Sequence, residues 1–342
     1  MMKKVFIFLI VLQFFYNLDA QNLKRVISFY NLENLFDTIV DPDTRLNGRE
    51  DFTPFSTKRY NTDKYYKKLD NLARVLSEIG VEIDPLGSAI IGCAEIENES
   101  VLKDLVNRPT LAARNYQIAH FDSPDERGVD VAFLYRPDCF KLVKAWVRHE
   151  TGLPKGDKTR DMLAIEGYLD GELMFFIVDH WPSRSGGQKR SAPSRDTVAK
   201  HDRAVIDSIL SVHPNAKIVF MGDLNDDPVN NSVLKIMKAK GDVTKLKDGA
   251  LYNSFYSKFK EGNGTLAYND SWNLFDQLII SQSLLNATEG YKFDAAFIFK
   301  KKYMFQQSGR FEGYPLRTFV GDEFMNGYSD HFPTYIIISK SK

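Results

Sequence analysis

Near the end of the chain lies Gly327-Tyr328-Ser329-Asp330-His331-Phe332-Pro333, and far upstream lies Met221-Gly222-Asp223-Leu224-Asn225-Asp226. In the upstream motif an apolar run stops abruptly at Asp-x-Asn; in the downstream motif an Asp and a His are adjacent. Buried acids and imidazoles cost free energy unless they are paired, so this pattern is a poor way to build a core. It suits a site that holds a divalent cation through oxygen ligands and aims a water at phosphorus. Other apolar runs end in the same manner. Asn31 and Glu33 follow the first, Glu95 and Glu97 end the next, His180 closes another, and Asp276 opens another. Each alone has an ordinary explanation, since an Asp after a strand is commonly a turn or cap residue. Six such positions at strand ends point to one shared site, because ligands gather where the strand ends of packed sheets meet.

The elements that must position these residues are short. Strands are expected at residues 26–30, 89–96, 129–135, 173–178, 218–221, 278–281 and 334–339, several of them near-continuous apolar runs as in strands covered on both faces. Tyr65, Leu69, Leu72, Val75, Leu76 and Ile79 recur at helical spacing, and Gly80 follows as a stop. A second helix is expected over 196–210, and a third starts near Ser100, capped by Glu97 with Asn98. Residues 41–57 read as a long loop. Evenly spaced strands with few helices between them predict sheets packed together with helices outside. No shift in composition marks a second domain, so residues 21–342 are expected to form one.

The chain has 342 residues with 45 basic and 45 acidic side chains, 43% hydrophobic and 26% charged. Those values fit a globular protein. A balanced charge argues against a broad nucleic-acid footprint, though not against a local basic lip. Residues 1–20 read as a signal peptide: Lys3 and Lys4 begin it, an apolar stretch from Val5 to Phe15 follows, and Ala20 is the small residue before cleavage. That stretch is shorter than the ~20 residues a spanning helix needs. The mature protein is therefore expected to be exported, periplasmic or secreted, without stable membrane insertion, and monomeric. Only Cys93 and Cys139 are present. Cys93 sits in an apolar run and is expected to be a buried free thiol; two cysteines with no Cys-x-x-Cys cannot make a structural zinc site.

These motifs, in this order, resemble the endonuclease/exonuclease/phosphatase superfamily over most of the mature chain. Ser28-Phe29-Tyr30-Asn31-Leu32-Glu33-Asn34 resembles its opening motif, and Cys93-Ala94-Glu95-Ile96-Glu97-Asn98 its glutamate motif. Asp179-His180 falls where the family places a catalytic His or another phosphate contact. Gly222-Asp223-Leu224-Asn225 and Ser329-Asp330-His331-Phe332-Pro333 match its most specific signatures, and Phe275-Asp276-Gln277-Leu278-Ile279 its remaining Asp motif. The resemblance implies an α/β four-layer sandwich, two mixed β-sheets face to face with helices on the outer faces and the site at one rim. It implies Glu95 as the principal ligand of Mg²⁺ or Mn²⁺, helped by Asn31 and Asp330. His331 would contact the scissile phosphate or protonate the departing oxygen, oriented by Asp276. Asp223 would deprotonate the attacking water, and Asn225 and His180 would donate hydrogen bonds to phosphate oxygens. Which of Asp223, His180 and His331 is the general base is left open by the sequence.

Four features bear on substrate. The stretch 183–195 is basic and rich in hydroxyls, and reads as a flexible loop in which Arg184 could clamp a phosphate or simply be solvated. Arg127 could reach phosphate or pair with Asp125 or Asp130. Trp272 could wall a ring or plug the rim. Aromatics around Lys300, Lys301 and Lys302 could touch an anionic membrane, or be a strand running into a turn. The leading expectation is an exported, metal-dependent phosphodiesterase or nuclease. The alternatives are a phosphatase or phospholipase-C-type enzyme acting on phosphorylated sugars, inositols or lipids, and a phosphate-binding module without turnover. A complete set of site residues counts against the last.

Overall fold

The computed structural model describes residues 22–40 and 49–340. The expected signal peptide lies outside the described residues, as does the 41–48 part of the expected loop. The rest is built on two mixed sheets. The six-stranded sheet runs, in spatial order, Lys292–Ile298, Thr334–Lys340, Leu23–Leu35, Ile90–Ile96, Asp130–Tyr135 and Gln117–His120. The seven-stranded sheet runs Phe140–Arg148, Met162–Leu169, Glu172–His180, Lys217–Asp223, Asp276–Ser281, Leu251–Asn253 and Ala239–Lys240. Near the middle of each lies one parallel pair: Leu23–Leu35 beside Ile90–Ile96, and Glu172–His180 beside Lys217–Asp223.

Alternation along the strands divides the apolar residues between two faces. Phe29, Phe133, Phe176, Met221, Leu278 and Ile336 meet between the sheets. Tyr30, Ile91 and Ile337, on the outer face of the six-stranded sheet, pack against Leu72, Leu76 and Leu105 of the helices Thr62–Glu78 and Glu99–Val106. Ile177, Phe220 and Ile279 face outward from the seven-stranded sheet and bury Val198 and Ile206 of the Gln188–Val212 helix. The result is the expected helix–sheet–sheet–helix stack. Each such side chain, fully buried, contributes roughly 1.5–3 kcal/mol of transfer free energy, so the sheets form a rigid base for residues at their rim. Cys93 and Cys139 are free and buried.

Two expectations need correction. The Gln188–Val212 helix starts eight residues before 196 and takes in Pro193. Proline inside a helix forfeits a backbone bond, and tertiary anchoring offsets it here. Arg195, fully buried, pairs through Nε with Asp226 Oδ1 at 2.9 Å, and its other nitrogens donate to the carbonyls of Pro182, Ser183 and Gln188. Most of the supposed flexible basic loop is thus a docked helical turn. Asn98 alone caps the Glu99–Val106 helix, accepting from Ser100 N and Val101 N; Glu97 instead accepts from Asp37 N at 2.6 Å. The aromatics around the lysine triplet follow the second of their two readings: the strand Lys292–Ile298 runs into a turn, and Phe297 stays exposed. Phe299 and Met304 are buried, and the Lys300 ammonium sits 5.1 Å from the Trp272 ring. Among the described residues, no helix is long and apolar enough to cross a membrane.

Candidate active site

Strand register assembles one half of the site. In the seven-stranded sheet His180 pairs with Asp223, and Asp223 with Asp276, so the three lie in one row across three neighbouring strands. Adjacent strands are ~4.8 Å apart, which brings their side chains within reach of a common group. Gly222 allows this spacing, because a Cβ there would come within 2.2 Å of the Asp179 carbonyl oxygen. His331 enters from the turn before Thr334–Lys340. Its Nδ1 lies 2.7 Å from Asp276 Oδ2, and its Nε2 lies 3.7 Å from Asp223 Oδ2. Ser329 fixes that turn by donating to the Asn31 carbonyl at 2.7 Å and accepting from His331 N.

Strand irregularity assembles the other half. The pairing of Leu23–Leu35 with Ile90–Ile96 shifts register between Asn31 and Leu35, and that of Ile90–Ile96 with Asp130–Tyr135 shifts between Ala94 and Ile96. At these bulges Glu33, Asn34 and Glu95 adopt φ of 49°, 52° and 60°. Such left-handed conformations cost non-glycine residues on the order of 1 kcal/mol or more each and persist only where surroundings impose them. They turn Glu95 toward the rim, where its Oε2 accepts from Asn34 N at 2.9 Å and its Oε1 lies 3.2 Å from Arg127 and 4.0 Å from His180 Nε2. Asn31 donates to Asp223 Oδ2 at 3.0 Å and so joins the two halves. Contacts therefore run unbroken from Glu95 through His180, Asp223 and His331 to Asp276.

The electrostatics separate acid from base. Burial, with Asp276 adding repulsion against the pull of His331, pushes the Asp223 carboxyl up to about 6. Burial pulls on His331 in the other direction, but Asp276 and Asp223 outweigh it and hold the imidazole protonated well above its usual range. Burial, then Arg160, drives His180 well below its usual range, so it is neutral. Burial also opposes the charge on Glu95, yet Arg127 and the cationic His331 outweigh it and hold that carboxyl at about 2. Asp330 is lowered likewise, with His331 and Arg317 outweighing burial. The result is two carboxylates held ionised, a carboxyl poised to titrate near neutrality, one cationic imidazole and one neutral one.

The substrate-contact candidates fare unevenly. Arg127 stands at the rim against Glu95 and Asn34. Arg184 is turned away from a clamp: it donates to the Asn225 carbonyl at 2.8 Å and to Asp227, Asn230 and Asn273, with its guanidinium 4.5 Å from the Phe275 ring. It braces the segment that carries Asn225. Asn225 itself donates one amide hydrogen to the Trp181 carbonyl at 3.0 Å, at φ 47°, and keeps the other. Trp272 stacks on Phe332, rings 15° from parallel and 6.0 Å apart, and packs against the core as a rim plug.

Sequence reasoning missed three supporting residues, Lys68, Arg317 and Arg160, and named Glu33 at a strand end without giving it a role. Lys68 is buried, donating to the Glu33 carbonyl and to Thr318 Oγ1 at 3.0 Å; its place on the apolar stripe with Tyr65, Leu69 and Leu72 is a signal that could have found it. Glu33, left uncertain by the sequence, accepts from Thr318 N at 2.7 Å, and burial with the nearby Asp330 raises it to about 7. Arg317 pairs with both Asp330 and Glu33. Arg160 donates to the carbonyls of His180 and Trp181 and pairs with Asp125 at 3.0 Å. Neither arginine sits in a pattern that marks it.

The donor set tests the expected cation. Glu95 and Asp330 are ionised carboxylates backed by Arg127 and Arg317, and Asn31 Oδ1 accepts one bond, from Glu33 N at 2.9 Å, leaving a lone pair. Oxygen donors without sulfur fit Mg²⁺ or Mn²⁺. The ligand atoms of Asp223, Asp276 and His331 also lie within 4.8 Å of one another, but His331 Nδ1 is committed to Asp276. Two cavities flank the row: one of about 480 Å³ beside Arg127, and one of about 240 Å³ beside Asp330.

The sequence profile of the endonuclease/exonuclease/phosphatase family matches residues 26–340. No curated protein matches the chain. Among solved structures, a Bacteroides thetaiotaomicron mannosyl-6-phosphatase shares 18% identity with a TM-score of 0.55, covering 92% of this chain and 99% of its own. An endonuclease/exonuclease/phosphatase family protein from the same organism shares 17%, TM-score 0.55, covering 94% and 97%. A humanized D. rerio TDP2 shares 14%, TM-score 0.55, covering 92% and 98%. Likeness at these identities establishes the fold.

Proposed function

The chain belongs to the endonuclease/exonuclease/phosphatase family, and from that premise we propose that it is a divalent-metal-dependent phosphodiesterase acting by direct attack of water. The observation that carries this reading is the contiguous set Glu95–His180–Asp223–His331–Asp276, with base and acid separated by their surroundings. Glu95, Asp330 and Asn31 would hold the cation, which when bound supplies positive charge for a phosphate oxygen. Asp223, a base once its carboxyl ionises near pH 6, takes the proton of the attacking water. His331, cationic and held by Asp276, donates to the departing oxygen. Neutral His180 and the free amide hydrogen of Asn225 bind the non-bridging oxygens as charge builds on them.

A diester fits better than a monoester. The arginines nearest the reacting groups, Arg127 and Arg317, are already paired with Glu95, Asp330 and Glu33. That leaves charge to meet a singly charged phosphate more readily than a doubly charged one. Nucleic acid is our first candidate among diesters. We also propose that the protein works outside the cytoplasm, on the strength of the charged and apolar segment at residues 1–20.

The test is hydrolysis of bis(p-nitrophenyl) phosphate against p-nitrophenyl phosphate, with Mg²⁺ and with chelator. Diester turnover that disappears on chelation is expected. A preference for the monoester would move the assignment to phosphatase. Silence on both substrates, with mononucleotide still bound, would make the protein a binding module.

A further inference from the structure

The 240 Å³ cavity beside the reaction centre has a composition that the phosphate chemistry does not explain. Asp330 lines it, and the same Asp330 places Oδ1 4.0 Å from His331 Nε2. Arg317, the partner of Asp330, lines it too, and three aromatic rings form part of its wall: Tyr268, Phe311 and Tyr314. Tyr268 is 68% exposed and Phe311 38%, so their rings are not spent on the core. Large exposed rings lining a concavity carry a hydration cost that a flat apolar ligand would relieve.

The walls are also held in place. Tyr268 ends one arm of the hairpin Leu266–Tyr268 and Ser271–Asn273. The hairpin tip is clipped to Tyr314, whose hydroxyl accepts from Asp270 N at 2.7 Å and donates to Asp270 Oδ1 at 2.6 Å. Tyr314 in turn packs on Phe311, centroids 5.6 Å apart. Polar groups at the mouth can read an edge. Arg310 makes no ion pair among the described residues and lies 5.9 Å from the Phe311 centroid; Asn269 stands at the hairpin turn.

We infer that this cavity is a base-binding subsite, in which a nucleobase carried by the phosphate stacks on Tyr268 and Phe311 while Arg310 meets its carbonyl edge. The inference rests on the phosphodiesterase reading and specifies its substrate class: nucleotide-bearing esters, with room for one base rather than a stretch of duplex. Stacking of a base on an aromatic side chain is worth about 1–3 kcal/mol, roughly fivefold to a hundredfold in affinity.

The experiment measures inhibition of methyl p-nitrophenyl phosphate hydrolysis by thymidine 5′-monophosphate, glucose 6-phosphate and methyl phosphate. All three carry the same phosphate group. The nucleotide should bind at least tenfold more tightly than methyl phosphate. In Tyr268→Ala/Phe311→Ala that advantage should shrink below threefold, with the circular dichroism spectrum unchanged. An undiminished advantage in the double variant overturns the inference, as does a tenfold advantage for glucose 6-phosphate in place of the nucleotide. Equilibrium dialysis of labelled thymidine 5′-monophosphate and methyl phosphate in Mg²⁺ gives the same comparison without turnover. A protein that hydrolyses no ester but shows the stacking-dependent difference in dialysis would refute the enzymatic reading and keep the subsite.

Discussion

The two sheets contribute to the site by different means. The seven-stranded sheet places His180, Asp223 and Asp276 through ordinary pairing, one residue per strand in a single row. The six-stranded sheet places Glu95 and Asn31 through two bulges, with three non-glycine residues in left-handed backbone. Proton-transfer groups gain from a fixed spacing, and register supplies it without strain. A cation ligand must leave the plane of its sheet to meet a third body, and a bulge re-aims a side chain in that way. The strain is held by cross-contacts, chiefly Arg127 to Asn34 and Glu95, and Lys68 to Glu33.

The largest break of this comparison is His331→Ala, which removes the proton donor from the regular half. Turnover of the chromogenic diester should fall about 10²–10⁴-fold, while calorimetric titration with Mg²⁺ still shows metal binding. Near-normal rates would remove His331 from its role. Next is Glu95→Gln in the bulged half. The Mg²⁺ concentration for half-maximal rate should rise about tenfold to a hundredfold, with saturated kcat changing less than in His331→Ala.

Arg184→Lys separates bracing from clamping. A brace of Asn225 predicts a kcat lower by about tenfold with KM little changed; a clamp predicts the reverse, and steady-state kinetics distinguish them. The pH profile sharpens the regular half. kcat/KM should rise through about pH 6 as Asp223 ionises and fall only well above the usual His range. In Asp276→Asn that alkaline limb should move down, because burial of His331 would then be less opposed. The smallest effect is on stability. The folded Asp223 carboxyl titrates at about 6, above the 3.8 of an exposed one, so its stabilising contribution is full below pH 3.8 and lost as pH rises through 6. Asp223→Asn, though inactive, should therefore gain on the order of 1 kcal/mol over wild type above pH 6 in urea titrations, and not below pH 4.

Much of the regular half was legible in the sequence. An apolar run bounded by Asp, Asn or His announces both the strand and the residue at its tip, as at Asp223 and His180, which end their strands, and Asp276, which opens one. The bulged half was legible only in its residue types. Nothing local says that Glu95 takes a positive φ, because that conformation is imposed by neighbours distant in sequence. Arg317 and Arg160 act through carboxylates and carbonyls brought near by the fold, and their own surroundings in the chain are ordinary. The Gln188–Val212 helix was misjudged because Pro193 speaks against a helix locally, whereas buried Arg195 and its partner Asp226 hold it together over distance.

The claim on which all this depends is that the two halves act on one phosphoryl group. A double-mutant cycle on kcat/KM, with Glu95→Gln, His331→Ala and the pair together in saturating Mg²⁺, measures it directly. Groups stabilising one transition state act as a unit, so the double variant should lose far less than the product of the single losses. Losses that multiply fully would mean that Glu95 and His331 work independently, and would contradict the shared site.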